Sequence, residues 1–424
     1  MTSEQVFVWI WLPDAAEPVV AGALKRQGEK AHFAYGTRYL QRPDAIALFT
    51  PELPLRRGEF TPNGPIASCI RDASPDAWGR RVIMHHLLGT HPHDADPADL
   101  DEITYLLESG SDRIGALDFQ RSATDYEPRN KAAASLEMLS EATTRISAGQ
   151  SLPPALDLAL RHGTSVGGAH PKALIDADER KFIAKFSVST DLYNVVKAEY
   201  IAMQLAALAG IQTASVQLTQ AAGRDVLLVE RFDRYRQAGQ WQRKGMVSAL
   251  TILALDEMLA RYASYELLAD EIRHRFTAPR ATLHELYRRM LFNLMVGNTD
   301  DHARNHAAFW DGQQLTLTPA YDICPQMRTG REASQAMRLH GQQNLSQLTV
   351  CFAAAPRFML SRDEAILMAE QLLDTLIREW PVVCDQAALP AIERAFLWKR
   401  QFLNDSIFDG LDASTRRRLS IGSG

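Results

Sequence analysis

Short runs of apolar residues recur over the first 60 residues of the chain, separated by Gly, Pro and Asp. They are VFVWIWL at residues 6–12, KAHFAYG at 30–36 and AIALF at 45–49, and each is rich in apolar, β-branched or aromatic side chains. Runs of this length between turn residues are typical of strands. The pattern therefore predicts a small antiparallel sheet at the start of the chain.

Helical and strand patterns follow one another after this sheet. SPDAWGRRVIMHHLL predicts a helix that is entered through Ser74, has Pro75 at its first position and ends near Gly89. The pattern then predicts a loop and a helix at residues 89–110, a strand at 112–119 and a helix at 135–146. It predicts two strands at 172–177 and 180–188, a helix at 194–211 and a strand at 224–232.

Beyond Ser248 the apolar residues recur at helical spacing nearly to the end of the chain, apart from a loop-and-strand region around residues 300–330. One of these helices, at residues 283–297, ends at Gly297, a residue type that commonly follows a helix. Its expected core positions are Leu286, Met290 and Leu294.

Length and composition describe an ordinary globular protein. The chain of 424 residues exceeds one typical core, so two or three domains are expected. A net charge of −5 gives the whole chain no basic surface for gripping nucleic acid. The four cysteines lie far apart and predict no disulfide framework, which fits the cytoplasm, and the apolar start is too short to cross a membrane.

A polar cluster follows the helix that ends at Gly297. Asp300 and Asn305 are five residues apart in NTDDHARN, the spacing at which protein kinases place a catalytic Asp and a metal-binding Asn. Asp322 follows a predicted strand and would supply a second carboxylate for the metal. Phosphoryl transfer needs oxygen ligands for Mg²⁺ and one carboxylate near the acceptor hydroxyl. The alternative for NTDDHARN is a hydrated turn.

Upstream residues could hold the phosphates and the base of a nucleotide. Gly167 and Gly168 leave room for backbone N–H groups to approach phosphates, although the segment matches neither a P-loop nor the kinase glycine loop, and a plain turn would also explain it. Lys185 lies among apolar strand residues, where an anionic partner offsets its desolvation. Glu199 on the next helix could pair with Lys185, and the alternative for each is exposure to solvent.

VLLVERFDR is a hydrophobic strand that turns polar at Glu230, as in the hinge of a kinase. Phe232 could line the adenine pocket there, and the alternative is a charged strand end. Together these motifs resemble the HipA family of bacterial serine/threonine kinase toxins, in order and spacing, over nearly the whole chain. The motifs that carry the resemblance are SPDAWGRRVI, DRIGALDF, TSVGGAHPKALI, LLVERFDR, NTDDHARN and PAYDICP.

The resemblance implies an α+β, bilobal, protein-kinase-like fold. It implies a β-rich N-terminal subdomain at residues 1–110, an N-lobe with a Gly-rich loop and a hinge at 111–247, and a mainly helical C-lobe at 248–424. It implies Asp300 as the catalytic base and Asn305 and Asp322 as Mg²⁺ ligands. The residues that it implies for ATP are Ser165, Val166, Gly167, Gly168, Lys172, Lys185, Glu230, Phe232 and His302.

Regulation and partners are also implied by the resemblance. Ser165 matches the loop serine that family members autophosphorylate, and a phosphate would add about two negative charges and should expel the loop. Family toxins pair with a helix-turn-helix antitoxin that binds operator DNA, and they phosphorylate translation proteins such as an aminoacyl-tRNA synthetase. His170, Pro171 and Asp301 depart from the family pattern, which affects the geometry of the phosphate loop and the choice of substrate.

Two other functions are compatible with the sequence. His302, two residues after Asp300, gives the D-x-H-x-x-N arrangement of lipid-type kinases, so a small-molecule or lipid kinase is one alternative. No exposed basic amphipathic helix for a membrane surface accompanies it. The second alternative is a catalytically silent corepressor that acts only through an antitoxin. The combined presence of the catalytic, metal and lysine residues favours an active kinase.

Overall fold

The computed structural model describes most of the chain. It describes residues 4–88, 96, 100–129, 134–148, 150, 152–153, 156–157, 160, 168, 170–177, 179–188, 191–328 and 330–419. The chain divides into two compact units, each made of discontinuous segments. The first comprises Met1–Asp191, Thr219–Val247 and Phe309–Gln313, and the second comprises Leu192–Leu218, Ser248–Ala308 and Gln314–Gly424.

The first unit begins with an antiparallel sheet in the order β4-β3-β2-β1-β5. In β3, buried residues alternate with half-buried ones, so one face of the strand turns to the core. The predicted N-terminal sheet is therefore confirmed. The strands are β1 Gln5–Ile10, β2 Val19–Gln27, β3 Lys30–Tyr35, β4 Glu59–Phe60 and β5 Leu117–Gln120.

Strand β5 completes this sheet from a distant part of the sequence. Val8 of β1 pairs with Phe119 of β5, and both side chains are fully buried. The strand predicted at residues 112–119 is thus present but shorter. It lies beyond the predicted domain boundary at residue 110, and the division of the chain into three parts stays a prediction.

The run AIALF is not a strand, contrary to the sequence prediction. Within residues 45–49 only Phe49 takes part in an isolated bridge. A side chain supplies the hydrogen bond that a neighbouring strand would have supplied, because the Tyr35 hydroxyl accepts from the N–H of Leu48 at 2.9 Å. The last three residues of the run are buried although the run is irregular, so its apolar character reflects the core rather than a sheet.

The helices of the first unit are short. Helix α3 begins at Ala77, two residues later than predicted, because the Pro75 carbonyl accepts hydrogen bonds from the side chains of Arg71 and Arg80 and holds the turn outside the helix. Ser135 caps α5 by accepting from the N–H of Met138. The helices are α1 Thr37–Leu40, α2 Ser68–Arg71, α3 Ala77–Leu88, α4 Glu102–Glu108 and α5 Leu136–Ser147.

A second sheet follows in the order β6-β7-β9-β8, and it confirms the three strands predicted here while adding β8. Lys172 of β6 pairs with Lys185 of β7. The neighbouring pair, Ala173 with Ala184, points to the opposite face and packs with Phe186 in a hydrophobic cluster. The strands are β6 Lys172–Ala177, β7 Arg180–Phe186, β8 Val216–Ala221 and β9 Arg224–Glu230.

A buried network of charges follows β9. Asp233 forms ion pairs of 2.8 Å with both Arg231 and Arg234, and Asp112 forms pairs of 3.0 and 2.9 Å with the same two arginines. Burial acts to raise the pKa of Asp233, but the two guanidinium groups outweigh it and lower this pKa to about 2. The network fastens the residues after β9 to the segment that precedes β5.

The remaining strands are short. Strands β10 and β11 pair as an antiparallel hairpin, with Arg234 opposite Arg243. Strand β14 lies where the sequence predicted a strand before Asp322. The strands are β10 Arg234–Gln237, β11 Gln240–Arg243, β12 Met246–Ser248, β13 Ala307–Trp310 and β14 Leu315–Leu317.

Helices dominate the second unit, as predicted. The predicted core positions Leu286, Met290 and Leu294 of α9 are fully buried. No helix of the described residues is both long enough and apolar enough to cross a membrane. The helices are α6 Val195–Leu208, α7 Ala249–Ile252, α8 Tyr265–Arg275, α9 Pro279–Met295, α10 Leu348–Ala354, α11 Arg362–Gln386, α12 Ala391–Leu397 and α13 Ala413–Arg418.

Gly297 ends α9 and turns the chain into the polar cluster that follows. Its φ of +71° lies in the left-handed region, where a residue with a side chain is strained. A Cβ at this position would lie 2.6 Å from the backbone oxygen of Gln401. The irregular region extends to Gln347, further than the predicted residue 330. Sheets and helices together give the α+β class that was predicted.

We predict that Asp233→Ala lowers the free energy of unfolding by about 3–5 kcal/mol, because it leaves two buried arginines with Asp112 as the one carboxylate of this network that still pairs with both. The matched control is Asp44→Ala, which removes an exposed partner of Arg42 at 2.8 Å and should leave stability nearly unchanged. Urea unfolding followed by tryptophan fluorescence measures both. Equal midpoints for the two variants would show that the buried network contributes little to stability.

We also predict that Gly297→Ala is more destabilising than Gly210→Ala. Gly210 has a similar φ of +78° but no atom within 4 Å of a Cβ, so its substitution carries only the left-handed backbone penalty of about 1 kcal/mol. The clash with Gln401 should add about 1–3 kcal/mol at Gly297. Urea midpoints of the two variants test this, and the same loss in both would exclude the clash.

Candidate active site

The loop from Asp300 to His306 connects α9 to β13. The carbonyl oxygen of Asp300 accepts from the backbone N–H of His302 at 2.8 Å and from Nδ2 of Asn305 at 3.2 Å. Since the amide nitrogen of Asn305 is bound to the Asp300 backbone, its oxygen is left on the other side of the amide. The loop thus fixes the predicted base and the predicted metal-binding amide relative to each other.

The surroundings of Asp300 shift the pKa of its carboxyl. Partial burial raises the pKa of its carboxyl, the nearby His302 lowers it, and the charges of Asp322 and Asp301 raise it, so that the pKa lies above its ordinary value. The contribution of Asp322 shows that the two predicted carboxylates lie close enough to repel. A cation beside them would relieve that repulsion.

The segment that carries Asp322 is tied directly to the catalytic loop. The hydroxyl of Tyr321 donates to the backbone carbonyl of Arg304 at 2.7 Å. Asp322 itself has a φ of +59°, a left-handed conformation that non-glycine residues seldom adopt and that occurs preferentially at functional sites. The structure therefore brings Asp300, Asn305 and Asp322 together within the second unit.

Asp301 attaches the loop to buried side chains, a role that the sequence analysis missed. Its carboxylate accepts from the hydroxyl of Tyr265 and lies 2.9 Å from Nε2 of His306, and these side chains are almost completely buried. Burial, and after it the charge of Asp301, raises the pKa of Tyr265 well above its ordinary value. The residue that departs from the family pattern is thus part of the support of Asp300.

His302 provides a polar atom for which the described residues offer no partner. Its Nδ1 is buried and makes no hydrogen bond within the described part of the chain. A buried polar atom normally has a hydrogen-bond partner, because leaving its hydrogen bond unmade costs about 1–3 kcal/mol. Its position beside Asp300 fits a contact with a bound ligand, as predicted for this residue.

The residues predicted for the phosphates lie in the first unit. Lys172 and Lys185 pair across β6 and β7, so both side chains leave the same face of the sheet. Lys172 is buried and Lys185 is half-buried. Gly168 lies beside Lys172 and has a φ of +110°. Ser165, Val166 and Gly167 lie outside the described residues.

The predicted hinge lies at the end of β9. Glu230 pairs with Phe182 of β7, and its carboxylate is 3.7 Å from the Arg180 guanidinium. The ring of Phe232 meets that of Phe309 edge to face at 5.9 Å. Next to them, Arg231 is buried in the ionic network described above. The adenine contacts of Glu230 and Phe232 stay a prediction.

The predicted pairing of Glu199 with Lys185 also stays a prediction. Glu199 is a buried residue of α6, in the second unit, whereas Lys185 belongs to the first. Glu199 is therefore a core carboxylate rather than an exposed one, which removes the alternative of solvent exposure for it. Lys185 is half-buried, so full exposure is excluded for it too.

The donor set fits a magnesium ion. Mg²⁺ prefers oxygen ligands and usually takes only one or two protein carboxylates, keeping waters and substrate phosphates for the rest. Asp322 and the amide oxygen of Asn305 provide such donors, and the repulsion between Asp322 and Asp300 favours a cation. Among the described residues, no group of three or more His, Cys, Asp and Glu side chains is placed to hold a metal.

Comparison with protein families gives two matches. Residues 164–380, about half of the chain, match the model of the HipA-like C-terminal domain. Residues 12–120 match the model of the HipA N-terminal domain. The two matches fall in the order of the predicted motifs, with the N-terminal module first and the segment from the Gly-rich loop to the metal-binding loop second.

Two curated relatives are similar over part of their length. One is the putative kinase Y4mE of Sinorhizobium fredii, 32% identical over 147 residues, which are 33% of this chain and 33% of that protein. The other is the serine/threonine-protein kinase toxin HipA of Shewanella oneidensis, 26% identical over 183 residues, 38% of this chain and 42% of that protein. The aligned region thus spans about a third to two fifths of these relatives.

A solved structure matches nearly the whole fold. It is the complex of HipA, HipB and operator DNA from Shewanella oneidensis, with a TM-score of 0.68 at 20% identity. The match covers 94% of this chain and 99% of that one. The α+β architecture is thus that of HipA, and with the model match over half of the sequence it leads to one conclusion. The chain belongs to the HipA family.

Proposed function

We propose that this protein is an ATP- and Mg²⁺-dependent serine/threonine protein kinase that acts as the toxin of a toxin-antitoxin pair. The observation that carries the proposal is the joining of Asp300, Asn305 and Asp322 in one loop system, with two carboxylates close enough to repel. The names of the similar proteins, a putative kinase and a kinase toxin, support the same reaction class.

In the proposed reaction, Asp300 accepts the proton of a serine or threonine hydroxyl. The hydroxyl oxygen forms a bond to the γ-phosphorus, the bond from that phosphorus to the β,γ-bridging oxygen breaks, and ADP leaves with the electron pair. Partial burial and neighbouring charges raise the pKa of Asp300, which makes its carboxylate a better proton acceptor than an ordinary aspartate.

The other residues bind and neutralise the nucleotide in this proposal. Asp322 and the Asn305 oxygen hold Mg²⁺, which supplies charge neutralisation at the phosphates when it is bound. Lys172 and Lys185 offer two ammonium groups on one face of their sheet for the phosphate oxygens. His302 offers its buried ring nitrogen to a ligand bound beside Asp300. Glu230 and Phe232 contact the adenine.

Partners and substrate extend the proposal. A helix-turn-helix antitoxin similar to HipB would bind this chain and carry most of the contact with operator DNA, consistent with a net charge of −5 on the chain itself. The phosphorylated protein would belong to the translation machinery, such as an aminoacyl-tRNA synthetase. The reaction would take place in the cytoplasm.

We predict that Asp300→Asn lowers phosphoryl transfer by at least about 10³-fold while the fold stays intact, because the amide cannot accept the hydroxyl proton. Transfer of label from γ-labelled ATP with Mg²⁺ to lysate proteins and to the chain itself measures this. Asp374→Asn, on the exposed face of α11, is the control and should retain full activity. Circular dichroism establishes that all variants are folded.

The same assay separates the alternatives. If Asp300→Asn is as active as the parent, the assignment of the base is wrong. If the parent labels lipid vesicles or small molecules but no protein, the chain is a lipid or small-molecule kinase. If the folded parent labels nothing with Mg²⁺ present, the silent corepressor is the better explanation.

We further propose that Ser165 is autophosphorylated and that this modification switches the kinase off. A phosphate there would add about two negative charges beside those of ATP. Ser165→Ala is therefore predicted to bind ATP as the parent does but to keep its activity during prolonged incubation with ATP. Phosphopeptide mass spectrometry and time courses of substrate labelling test this, and loss of activity in parent and variant alike would exclude the switch.

A further inference from the structure

The segment SPDAW, residues 74–78, forms the turn into α3 and the first residues of that helix, and it has no part in the function proposed above. It is called the SPDAW turn below. Its Asp76 and Trp78 reach a segment about ninety residues later in the sequence. The carboxylate oxygen Oδ2 of Asp76 accepts from the backbone N–H of Gly168 at 3.0 Å. The backbone N–H of Trp78 donates to the carbonyl of Gly168 at 3.2 Å. Both backbone groups of Gly168 are therefore held by one turn.

The indole of Trp78 extends this attachment to β6. Its Nε1 donates to the carbonyl of Lys172 at 3.1 Å, so the first residue of the strand is fixed as well. Only 1% of Trp78 is exposed, and the ring packs with buried residues of α3 and α5. A fully packed aromatic ring holds its hydrogen-bonding edge in one position, which makes the indole a rigid support for Lys172.

The ammonium group of Lys172 lies directly against Gly168. A Cβ on Gly168 would be 2.1 Å from Nζ of Lys172, so only glycine leaves room for the lysine in this position. The positive φ of +110° also favours glycine. The position of Gly168 therefore limits where the Lys172 ammonium can lie, and Asp76 and Trp78 hold the backbone of both residues.

Two arginines hold the SPDAW turn in place. Nη1 of Arg71 is 3.3 Å from Oδ1 of Asp76 and also donates to the carbonyl of Pro75. Nε of Arg80 donates to the same carbonyl at 3.0 Å. Because Oδ1 of Asp76 is engaged by Arg71 while Oδ2 accepts from Gly168, the carboxylate has a fixed orientation. The SPDAW turn thus offers the Asp76 carboxylate, already oriented, as the acceptor for the N–H of Gly168.

We propose that Asp76 and Trp78 are positioning residues for nucleotide binding, which they support by fixing the backbone of Gly168 and of Lys172 and hence the place from which the lysine side chain reaches the phosphates. This inference rests on the proposed function, in which Lys172 binds phosphate. It means that the SPDAW turn contributes to the affinity for the nucleotide. In this proposal each residue acts through Gly168 and Lys172, which bind the phosphates, so its effect is on binding rather than on the chemical step.

Binding of a non-hydrolysable ATP analogue with Mg²⁺, measured by calorimetry on the full chain, tests the proposal. Asp76→Ala removes the acceptor of the Gly168 N–H and should raise Kd about 10-fold, the change that corresponds to loss of about 1.4 kcal/mol. In kinase assays it should raise KM for ATP while kcat at saturating ATP stays near that of the parent. Asp76→Asn keeps an oxygen acceptor and should bind within about 3-fold of the parent.

The matched control is Asp101→Ala. Asp101 belongs to the same module and caps α4 by accepting from the N–H of Thr104, but it does not contact Gly168. Loss of this cap should lower the urea midpoint and leave Kd unchanged. A general destabilisation of the module would raise Kd in both variants, whereas the proposed positioning raises it in Asp76→Ala alone.

Trp78→Phe keeps most of the buried ring and removes the bond to the Lys172 carbonyl, so it decides the matter if Asp76→Ala does not fold. Its Kd should rise by about 3- to 10-fold, which corresponds to about 0.7–1.4 kcal/mol. If the parent binds the analogue and the folded variants bind it equally well, the inference is wrong. If the parent itself does not bind the analogue, the proposed function fails instead.

Discussion

The pairing of Lys172 with Lys185 across β6 and β7 is the constraint on which the proposed binding of phosphate depends. Two cations at directly opposed positions of a sheet repel each other, so the sequence alone would not favour this register. The other face of the sheet determines the register. Ala173, Ala184 and Phe186 lie there in the core, and a shift of the pairing by one residue would expose them. In the proposed function, the phosphates of the nucleotide bind this pair.

The second unit shows the same principle with the opposite sign. Asp300 and Asp322 repel each other, and the repulsion persists because the loops that carry them are fixed elsewhere: Tyr321 binds the Arg304 carbonyl, and the buried Asp301 binds Tyr265. The left-handed backbone of Asp322 adds local strain. In the proposed function a cation bound beside the two carboxylates would offset their repulsion, and the cost of bringing the like charges together is met during folding.

Local patterns predicted what local forces decide. The strands at Lys172–Ala177 and Arg180–Phe186 and the helix break at Gly297 follow from alternation and from backbone freedom, and they are present. Strand β2 was not predicted, because Gly22 interrupts its apolar run. The strand predicted at AIALF is absent, and the N–H of Leu48 there donates to the Tyr35 hydroxyl instead of to a neighbouring strand. The spacing of acidic and amide residues pointed to the carboxylate cluster, but nothing in the spacing could show which residues support it.

Support comes from residues that are far away in the sequence, and it ties the N-terminal module to the predicted nucleotide residues. Asp76 holds Gly168, and Trp78 holds Lys172, each about ninety residues away. Coupling between two sites is reciprocal, since a ligand that favours one arrangement of the turn must be favoured by it to the same degree. A partner that moved the SPDAW turn would therefore change nucleotide affinity, and bound nucleotide would change affinity for that partner by the same factor.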